Sequence, residues 1–388
     1  MTEIFAPAKL GPITLPNRII KAATFEGRTP QALVTDDLID FHVRHATGGV
    51  GMTTVAYCAV LPEGRTDRHQ IYMRPEAVPG LRRLTDAVHD AGAAVAAQIG
   101  HAGPVANAAS NRLPAVAPHR IPSPLGMRMM RRADQAELDR VVAAHADAAV
   151  LAAESGFDSV EIHFGHNYLV SSFLSPFLNR RRDDYGGSTR NRARLALDVA
   201  RAVRAAVGDR IAVTAKLSMD DGVPGGFWLD ESIQVAKWLQ DDGSVDALEL
   251  TAGSSLLNPM YLFTGEAPRR EFAAAFPPPM SWGMRAAGSK FLREYAFQEA
   301  FLLDRARQFR AELDLPLILL GGITRRETIE SALAEGFSFV AMARALLREP
   351  DLPNRMRADA ATPSLCVHCN KCMPTIYSRT RCVLVPTS

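Results

Sequence analysis

The sequence predicts a (β/α)8 TIM barrel of the α/β class. Eight short runs rich in Val, Ile, Leu and Ala alternate with stretches of helical periodicity, and the runs themselves do not alternate in polarity. Strands buried on both faces of a parallel sheet have this character, and 388 residues can hold one large barrel. No Gly-x-Gly-x-x-Gly follows the first run, which removes the main support for an open doubly wound sheet.

The elements are expected in a regular order. The strands are predicted at residues 18–24, 50–57, 93–100, 159–164, 211–218, 247–253, 317–323 and 337–344. Between the third and fourth strands, apolar residues recur at the 3.6-residue period of a helix that packs one face on the sheet, namely Leu138, Val141, Val142, Ala146 and Ala149. After the seventh strand, Thr324-Arg325-Arg326-Glu327 has the pattern of a capping box and predicts the start of a helix.

The chain divides into a barrel over residues 1–358 and a short Cys-rich extension over 359–388. Two connections, 101–132 and 254–300, exceed the length of about 15 residues above which loops in compact domains are usually functional. Both follow strands, so they are expected to form lids over the C-terminal face of the barrel. The aromatic and basic residues of the second would suit an apolar substrate, a docked partner or an ordinary packed excursion.

Composition narrows the class of protein. Lys and Arg total 44 against 42 Asp and Glu, and a net charge of +2 gives no field that favours nucleic acid. No stretch approaches the roughly 20 apolar residues of a membrane helix, and the N-terminus lacks a basic-then-apolar signal. A cytoplasmic enzyme with a small-molecule substrate is therefore expected.

The end of the fourth strand carries the residues best suited to catalysis. His163, His166 and Tyr168 fall within six positions at that strand end, on the face where barrel enzymes keep their active sites. Two neutral imidazoles can donate N–H groups to an oxygen that gains negative charge. A tyrosine, with a reference pKa of about 10, stays protonated at neutral pH and can give a proton to carbon. No side chain in the set can supply a hydride, so a redox cofactor is required.

Several further motifs stand in register across residues 5–355: Asn17-Arg18-Ile19-Ile20-Lys21-Ala22-Ala23-Thr24, Gln98-Ile99-Gly100-His101-Ala102-Gly103, Phe173-Leu174-Ser175-Pro176, Asp184-Tyr185-Gly186-Gly187-Ser188 and Leu320-Gly321-Gly322-Ile323. With His163-x-x-His166-x-Tyr168, this order resembles the Old Yellow Enzyme family of NADH:flavin oxidoreductases. The resemblance implies an FMN enzyme in which NAD(P)H reduces the flavin. The flavin then passes a hydride from N5 to the β-carbon of an activated alkene.

The resemblance also assigns roles to individual residues. His163 and His166 would hold the substrate's oxygen, Tyr168 would protonate the α-carbon, and Phe25 would contact the substrate. Lys216 stands where the family usually has Arg, close to flavin N1 and O2. The flavin and its phosphate would be bound by Ala22, Ala23, Thr24, Tyr57, Gln98, Lys216, Gly253, Gly321, Gly322, Ala343 and Arg344.

Four of the five cysteines fall in the last 23 residues, which indicates a local metal site rather than a disulfide framework. Cys366, Cys369 and Cys372 have the C-x2-C-x2-C spacing of iron–sulfur proteins, and Cys382 supplies a fourth thiol. The pattern is similar to the branch with 2,4-dienoyl-CoA reductase and trimethylamine dehydrogenase, which implies a [4Fe–4S] cluster. A four-thiolate zinc site and a site without metal are the alternatives.

Two features depart from that branch. The last gap between cysteines is shorter, and no nucleotide-binding domain follows before Ser388. Electrons are therefore expected from NAD(P)H bound directly over the flavin, or from a separate redox partner protein.

Several functions remain open at this stage. The first is an ene-reductase for α,β-unsaturated carbonyl compounds, with a bulky or acyl-CoA-like substrate. The second is an amine or N-methyl dehydrogenase or demethylase that passes electrons through the cluster to a carrier. A flavin-free lyase or aldolase with a Schiff base on Lys216, and a non-enzymatic metal sensor or electron carrier, are the alternatives from other classes. The sequence leaves open the substrate, the choice of NADH or NADPH, the metal and whether the chain forms a homo-oligomer.

Overall fold

A computed structural model describes residues 3–123, 129–276, 278 and 280–386 of the chain. Within these residues, parallel strands close a barrel in chain order: β1 Ile19–Lys21, β2 Met52–Ala59, β3 Ala94–Gly100, β4 Ser159–Phe164, β5 Ala212–Ser218, β6 Ala247–Thr251, β7 Leu317–Leu320 and β8 Phe339–Met342. Each strand pairs with the next, and β8 pairs with β1. The predicted barrel is confirmed, and each barrel strand overlaps its predicted run, although the strands that end at Lys21, Leu320 and Met342 are shorter than predicted.

The strands form because their side chains are buried on both faces. Every residue of β2, β4, β5 and β6 is buried. The helices around the barrel are Asp36–Thr47, Val78–Asp90, Gln135–Glu154, Thr189–Val207, Leu229–Asp241, Leu303–Glu312, Arg326–Ala334, Arg344–Arg348 and Leu352–Ala358. In the helix predicted from its periodicity, Leu138, Val141 and Ala149 are buried, while Val142 and Ala146 lie half-buried at the edge of the buried stripe.

The capping box predicted after the seventh strand is wrong in detail. The helix begins at Arg326, and its N-cap is Arg325, which makes no side-chain capping bond. The hydroxyl of Thr324 instead donates to Glu299 Oε2 (2.5 Å), and the Thr324 N–H donates to Glu299 Oε1 (2.7 Å). A carboxylate from the preceding connection therefore takes the contacts that the local pattern assigned to the capping box.

The long connections contain secondary structure of their own. The first includes helix Ala108–Asn111 and the paired strands Val116–Ala117 and Arg131–Arg132. The second includes helices Arg269–Ala274 and Met280–Phe291. Positions 124–128, 277 and 279 of these connections lie outside the described residues.

The Cys-rich tail lies against the segment that follows β1. Its one short 3-10 helix in the described residues is Met373–Tyr377. The Thr380 N–H donates to the Glu26 carbonyl (2.9 Å), and the Thr380 hydroxyl donates to the Phe25 carbonyl. No helix in the described part of the chain is long and apolar enough to cross a membrane.

Candidate active site

A cavity of about 1000 Å³ opens at the C-terminal ends of the barrel strands. The strand ends and the two long connections line it. The sequence-derived site residues among its walls are Ala22, Ala23, Thr24, Phe25, Tyr57, Gln98, His163, His166, Tyr168, Lys216, Gly321, Gly322, Ala343 and Arg344. The fold thus brings into one cavity residues that the sequence distributes over all of the barrel.

The predicted catalytic trio of His163, His166 and Tyr168 lies together on one wall. The ring centroids of His163 and Tyr168 are 4.4 Å apart, and those of His163 and His166 are 5.1 Å apart. Tyr57 joins them, with its ring 5.4 Å from Tyr168 and 6.5 Å from His163. Tyr57 therefore borders the trio directly, in addition to lining the region assigned to the flavin.

A left-handed turn after β4 sets the spacing of the trio. His166 and Asn167 have φ angles of 60° and 58°, a region that costs non-glycine residues about 1–2 kcal/mol each. Hydrogen bonds hold the turn in place: the His166 N–H donates to Ser218 Oγ (3.0 Å), and the buried Asn167 side chain donates to Asp221 Oδ1 (2.9 Å). The turn points His166 and Tyr168 into the cavity and buries Asn167 behind them.

Both imidazoles are neutral at physiological pH. Burial lowers the pKa of His163 well below its usual value, and the nearby His166 and Lys216 lower it further. Burial, and then the charge of Lys216, lowers the pKa of His166 to about 3. The Gly165 N–H donates to His163 Nδ1 (3.2 Å), so the ring proton of His163 is on Nε2. These side chains are therefore suited to donate hydrogen bonds as neutral rings.

The end of β6 contacts His166. Thr251 Oγ1 lies 2.9 Å from His166 Nε2 and orients that ring. Gly253 is not among the residues that line the cavity, because the Leu262 side chain covers it. Its N–H donates to the Asp220 carbonyl (2.7 Å). The assignment of Gly253 to the cofactor stays a prediction, and the cavity lining gives it no support.

A buried network of charges forms the floor of the cavity. Lys216 Nζ lies 2.5 Å from Glu249 Oε1 and 3.1 Å from Glu161 Oε1, and Gln98 Nε2 donates to Glu161 Oε1 (2.6 Å). Burial lowers the pKa of Lys216, but the two carboxylates outweigh it and the net shift is upward. Burial and Glu161 raise the pKa of Glu249 to about 8. A Schiff-base lysine needs a lowered pKa, so this environment argues against the aldolase alternative.

A second buried network lies under Thr24, and the sequence did not predict it. Lys21 Nζ donates to Thr24 Oγ1 (2.7 Å) and lies 3.8 Å from Glu26 Oε1, while Glu26 also accepts from the Ala56 N–H (3.0 Å). Burial lowers the pKa of Lys21 to about 8 and raises that of Glu26 to about 8. The signal in the sequence was a lysine inside an apolar strand.

The ends of β7 and β8 differ in how well they match a phosphate site. Gly321 and Gly322 have φ angles of 112° and 73°, and they turn the backbone where a Cβ would meet Leu302 and Phe301. Arg344 lines the cavity, but its guanidinium donates to the Thr264 carbonyl (2.9 Å), to the Phe263 carbonyl and to Asn370. Most of the donors that the sequence assigned to a phosphate clamp are thus bonded within the protein.

The four tail cysteines share one small cavity. Cys366, Cys369, Cys372 and Cys382 all line a space of about 20 Å³ next to the large cavity. Among the described residues, all cysteines are free thiols, and no three His, Cys, Asp or Glu side chains converge closely enough to hold a single metal ion. Burial raises the pKa of Cys372 to about 12, and the neighbouring Arg344 opposes that shift.

The two cavities have a common wall. Arg344, Leu347, His368 and Cys372 line both of them. The rings of His368 and Phe297 stack at a centroid distance of 3.3 Å. The predicted metal site therefore lies directly beside the predicted flavin site.

The chain belongs to the NADH:flavin oxidoreductase / NADH oxidase family, whose model matches residues 3–254. It is accordingly an FMN-dependent NAD(P)H oxidoreductase, and the family that the motifs resemble is confirmed. It is 57% identical over 382 residues, covering 98% of this chain and 95% of the relative, to a 4,4'-dithiodibutanoate disulfide reductase of Rhodococcus erythropolis.

Other similar proteins are longer. A metal reductase of Desulforamulus reducens is 32% identical over 97% of this chain, which spans about half (52%) of that relative. Among solved structures, a 2-naphthoyl-CoA reductase in complex with 2-naphthoyl-CoA superposes with a TM-score of 0.82 at 24% identity, covering 99% of this chain and 57% of that one. At that identity the likeness supports the fold alone.

Proposed function

We propose that this oxidoreductase reduces organic disulfides to thiols at the expense of NAD(P)H. The geometry that carries the proposal is the trio of His163, His166 and Tyr168, with two neutral rings and a phenol on one cavity wall. These side chains suit the cleavage of a bond in which one atom accepts a hydride and the other atom leaves with the bonding electron pair. The relative with 57% identity over 98% of this chain, a disulfide reductase, supports the S–S bond as that bond.

The cavity suits a flavin together with a substrate. Its volume of about 1000 Å³ lies at the upper end of the roughly 300–1000 Å³ typical of ligand pockets. Gln98 and Lys216 offer polar groups at the floor, and the backbone of Ala22, Ala23 and Thr24 forms one side. Ala343 and the two glycines after β7 would border the phosphate. When bound, FMN supplies the hydride that it takes from NAD(P)H.

The reaction balances with one proton. The S–S bond breaks, the hydride ends on one sulfur, and the second sulfur leaves as a thiolate that takes up a proton, while NAD(P)H becomes NAD(P)⁺. His163 and His166 donate hydrogen bonds to the departing thiolate, where the charge develops. The Tyr168 hydroxyl then protonates it. Two thiols form for each NAD(P)H.

Reduction of the C=C bond of an α,β-unsaturated carbonyl compound is the second candidate. In that case the histidines hold the carbonyl oxygen and Tyr168 protonates the α-carbon. The observation that favours it is the apolar end of the cavity, lined by Phe272, Phe276, Met280, Met284 and Phe291 from the second long connection. An enone with a bulky apolar group fits this end better than a short dicarboxylate does.

We also propose that the four tail cysteines hold a [4Fe–4S] cluster. The spacing of the thiols and their shared cavity beside Arg344 support this, since thiolates are the ligands of such clusters and a nearby cation stabilises their negative charge. A cluster at this position would supply single-electron transfer. Zinc, or no metal, is the alternative, and iron and zinc analysis with a visible spectrum of anaerobically purified protein decides among them. An electron-accepting or electron-donating partner protein, amine oxidation and a cytoplasmic location stay predictions.

The test is anaerobic turnover by purified holoprotein. NADH or NADPH oxidation is followed with 4,4'-dithiodibutanoate and with 2-cyclohexenone, and the thiols are counted. We expect two thiols per NAD(P)H and a higher kcat/KM for the disulfide. The Tyr168→Phe variant should lose most of this activity. Tyr72→Phe makes the same chemical change at a residue that does not line the cavity, and should retain it. Turnover of the enone without thiol release would refute the disulfide proposal.

A further inference from the structure

The polar end of the large cavity is built where the segment after β1 meets the Cys-rich tail. Its walls include Arg28, Thr35, Asp37, Ser378, Arg379 and Thr380. These residues lie at the two ends of the chain, and backbone bonds between Thr380 and the Phe25–Glu26 segment join them. The tail thus completes this end of the substrate cavity as well as carrying the cysteines.

Arg28 is a fixed cation in this wall. Its Nη1 donates to both oxygens of Asp37 (2.6 and 2.7 Å), and its Nη2 donates to the Thr380 carbonyl (2.9 Å). The guanidinium centre lies 4.7 Å from the centroid of the Phe41 ring, and the side chain is 8% exposed. Its buried Nε has no hydrogen-bond partner among the described residues. The guanidinium is therefore preorganised and not fully satisfied.

Arg379 adds a second cation to the same carboxylate. Its Nη2 also donates to Asp37 Oδ1, although Arg28 already engages both oxygens of Asp37. The Arg379 side chain is 46% exposed and lines the cavity. A guanidinium has five N–H donors, and one bond from Arg379's side chain is found within the described residues. Two guanidiniums share one carboxylate, which leaves an excess positive charge with free donors.

No other carboxylate among the described residues forms an ion pair with Arg28 or Arg379. Asp67 lines the same cavity and keeps its negative charge, and its oxygens are engaged by the Ser110 hydroxyl (2.6 Å) and the His69 N–H (2.9 Å). Lys21 and Glu26 lie beneath and pair with each other at 3.8 Å. A ligand that enters the cavity therefore meets two guanidiniums that share one carboxylate and keep unused N–H donors.

We propose that Arg28 and Arg379 form an anion subsite that binds a carboxylate of the substrate, so that the enzyme selects disulfides with acidic ends. The inference rests on the proposed disulfide reduction. The planar fork of Arg matches a carboxylate in a bidentate geometry. Arg28 and Arg379 line the same cavity as His163 and Tyr168, so an acidic disulfide bound in it can present a carboxylate to the two guanidiniums.

Binding can be measured without turnover. Decanedioate is a non-reducible analogue of 4,4'-dithiodibutanoate in which two methylene groups replace the two sulfurs. It is titrated into oxidised holoprotein, and the change in flavin absorbance reports binding. Arg379→Gln should weaken decanedioate about tenfold, the loss expected for one hydrogen bond to a charged group. Arg381→Gln makes the same charge change on the same tail, outside the cavity lining, and should leave binding unchanged. Decane-1,10-diol serves as the uncharged probe.

A second variant should tighten the binding of decanedioate instead of weakening it. Asp37→Asn removes the carboxylate that the two guanidiniums share, so decanedioate should bind more tightly than to the wild-type protein. In turnover, Arg379→Gln should raise KM for 4,4'-dithiodibutanoate about tenfold and leave kcat/KM for bis(2-hydroxyethyl) disulfide unchanged.

Three outcomes would overturn the subsite. Equal effects of the Arg379 and Arg381 variants would make the charge nonspecific. Unchanged binding would leave Arg379 as a purely structural contact. A rise in KM for NADPH, with NADH and disulfide unaffected, would assign the subsite to the 2'-phosphate of the cofactor. Disulfide reduction that does not depend on Arg379 would refute the subsite and leave the proposed function standing. Decanedioate binding that depends on Arg379, without reduction of disulfides, would refute the proposed function and leave the subsite standing.

Discussion

The turn that carries His166 and Tyr168 offers a quantitative test at Asn167. Asn167 is fully buried at φ 58°, and its side-chain amide donates to Asp221 Oδ1 at 2.9 Å. Asn167→Ala removes a hydrogen bond to a buried acid group, which costs about 2 kcal/mol. Alanine also tolerates the left-handed region less well than asparagine, whose short polar side chain can hydrogen-bond locally, and this costs about 1 kcal/mol more. We therefore expect a loss of about 3 kcal/mol in the free energy of unfolding, the sum of these two terms.

Asn167→Gly is the matched control for the backbone contribution. It loses the same hydrogen bond but adopts positive φ without strain, so its loss should be about 1 kcal/mol smaller than that of the alanine variant. Urea unfolding at saturating FMN, followed by circular dichroism, measures both values. Equal losses in the two variants would refute backbone strain in the turn. Losses under about 0.5 kcal/mol in both would refute the role of the Asp221 bond.

The same pair of variants links the turn to catalysis. Asn167 does not line the cavity, but it separates His166 from Tyr168 in the chain. A shift of about 1 Å in such groups lowers catalysis on the order of a hundredfold. We expect kcat/KM to fall more in Asn167→Ala than in Asn167→Gly, with FMN affinity preserved in both. An unchanged kcat/KM would show that the turn does not position the trio.

Three further changes test other parts of the site. Burial raises the pKa of Asp221 from 3.8 to about 6, so folding takes up a proton between these two pH values. The contribution of Asp221 to the free energy of unfolding therefore falls by about 3 kcal/mol as the pH rises through this range. Asp221→Asn should remove this dependence, and the difference in stability between wild type and variant, measured from pH 4 to 7, should show it. Tyr168→Phe should lower kcat about a hundredfold or more, the usual contribution of a general acid, with little change in KM, as steady-state kinetics will show. Gly322→Ala places a Cβ 2.8 Å from Phe301 at φ 73°, so FMN should bind less tightly in a fluorescence titration, and an unchanged Kd would exclude this glycine from the cofactor site.

The features that the sequence predicted well are local. The strands could be found because burial on both faces produces unbroken apolar runs, as in β2 and β5. The trio could be found because His163, His166 and Tyr168 follow one strand within six positions, so one turn brings them together. Short sequence separation makes such contacts independent of the rest of the fold.

The predictions that the structure supports least are those in which distant segments compete for one side chain. Arg344 was assigned to a phosphate, but its partners Thr264 and Asn370 come from the second long connection and from the tail. Gly253 was assigned to the same site, but Leu262 covers it. Arg379 and Asp37 are 342 positions apart in the chain, and no local pattern predicts their pairing. Contacts of this kind depend on where each loop crosses the barrel face.

The tail both carries the four cysteines and lines the large cavity, and this changes how experiments on its cysteines must be interpreted. Cys372 and Cys382 flank the segment whose residues Arg379 and Thr380 line the cavity. If a cluster anchors both cysteines, its loss would release this segment, and Arg379 would leave Asp37 along with it. A cysteine variant that loses activity therefore does not by itself demonstrate electron transfer through the cluster. Cys369→Ser separates the two roles: lost decanedioate binding would indicate a disordered cavity wall, whereas preserved binding with lost turnover would indicate that the cluster carries electrons.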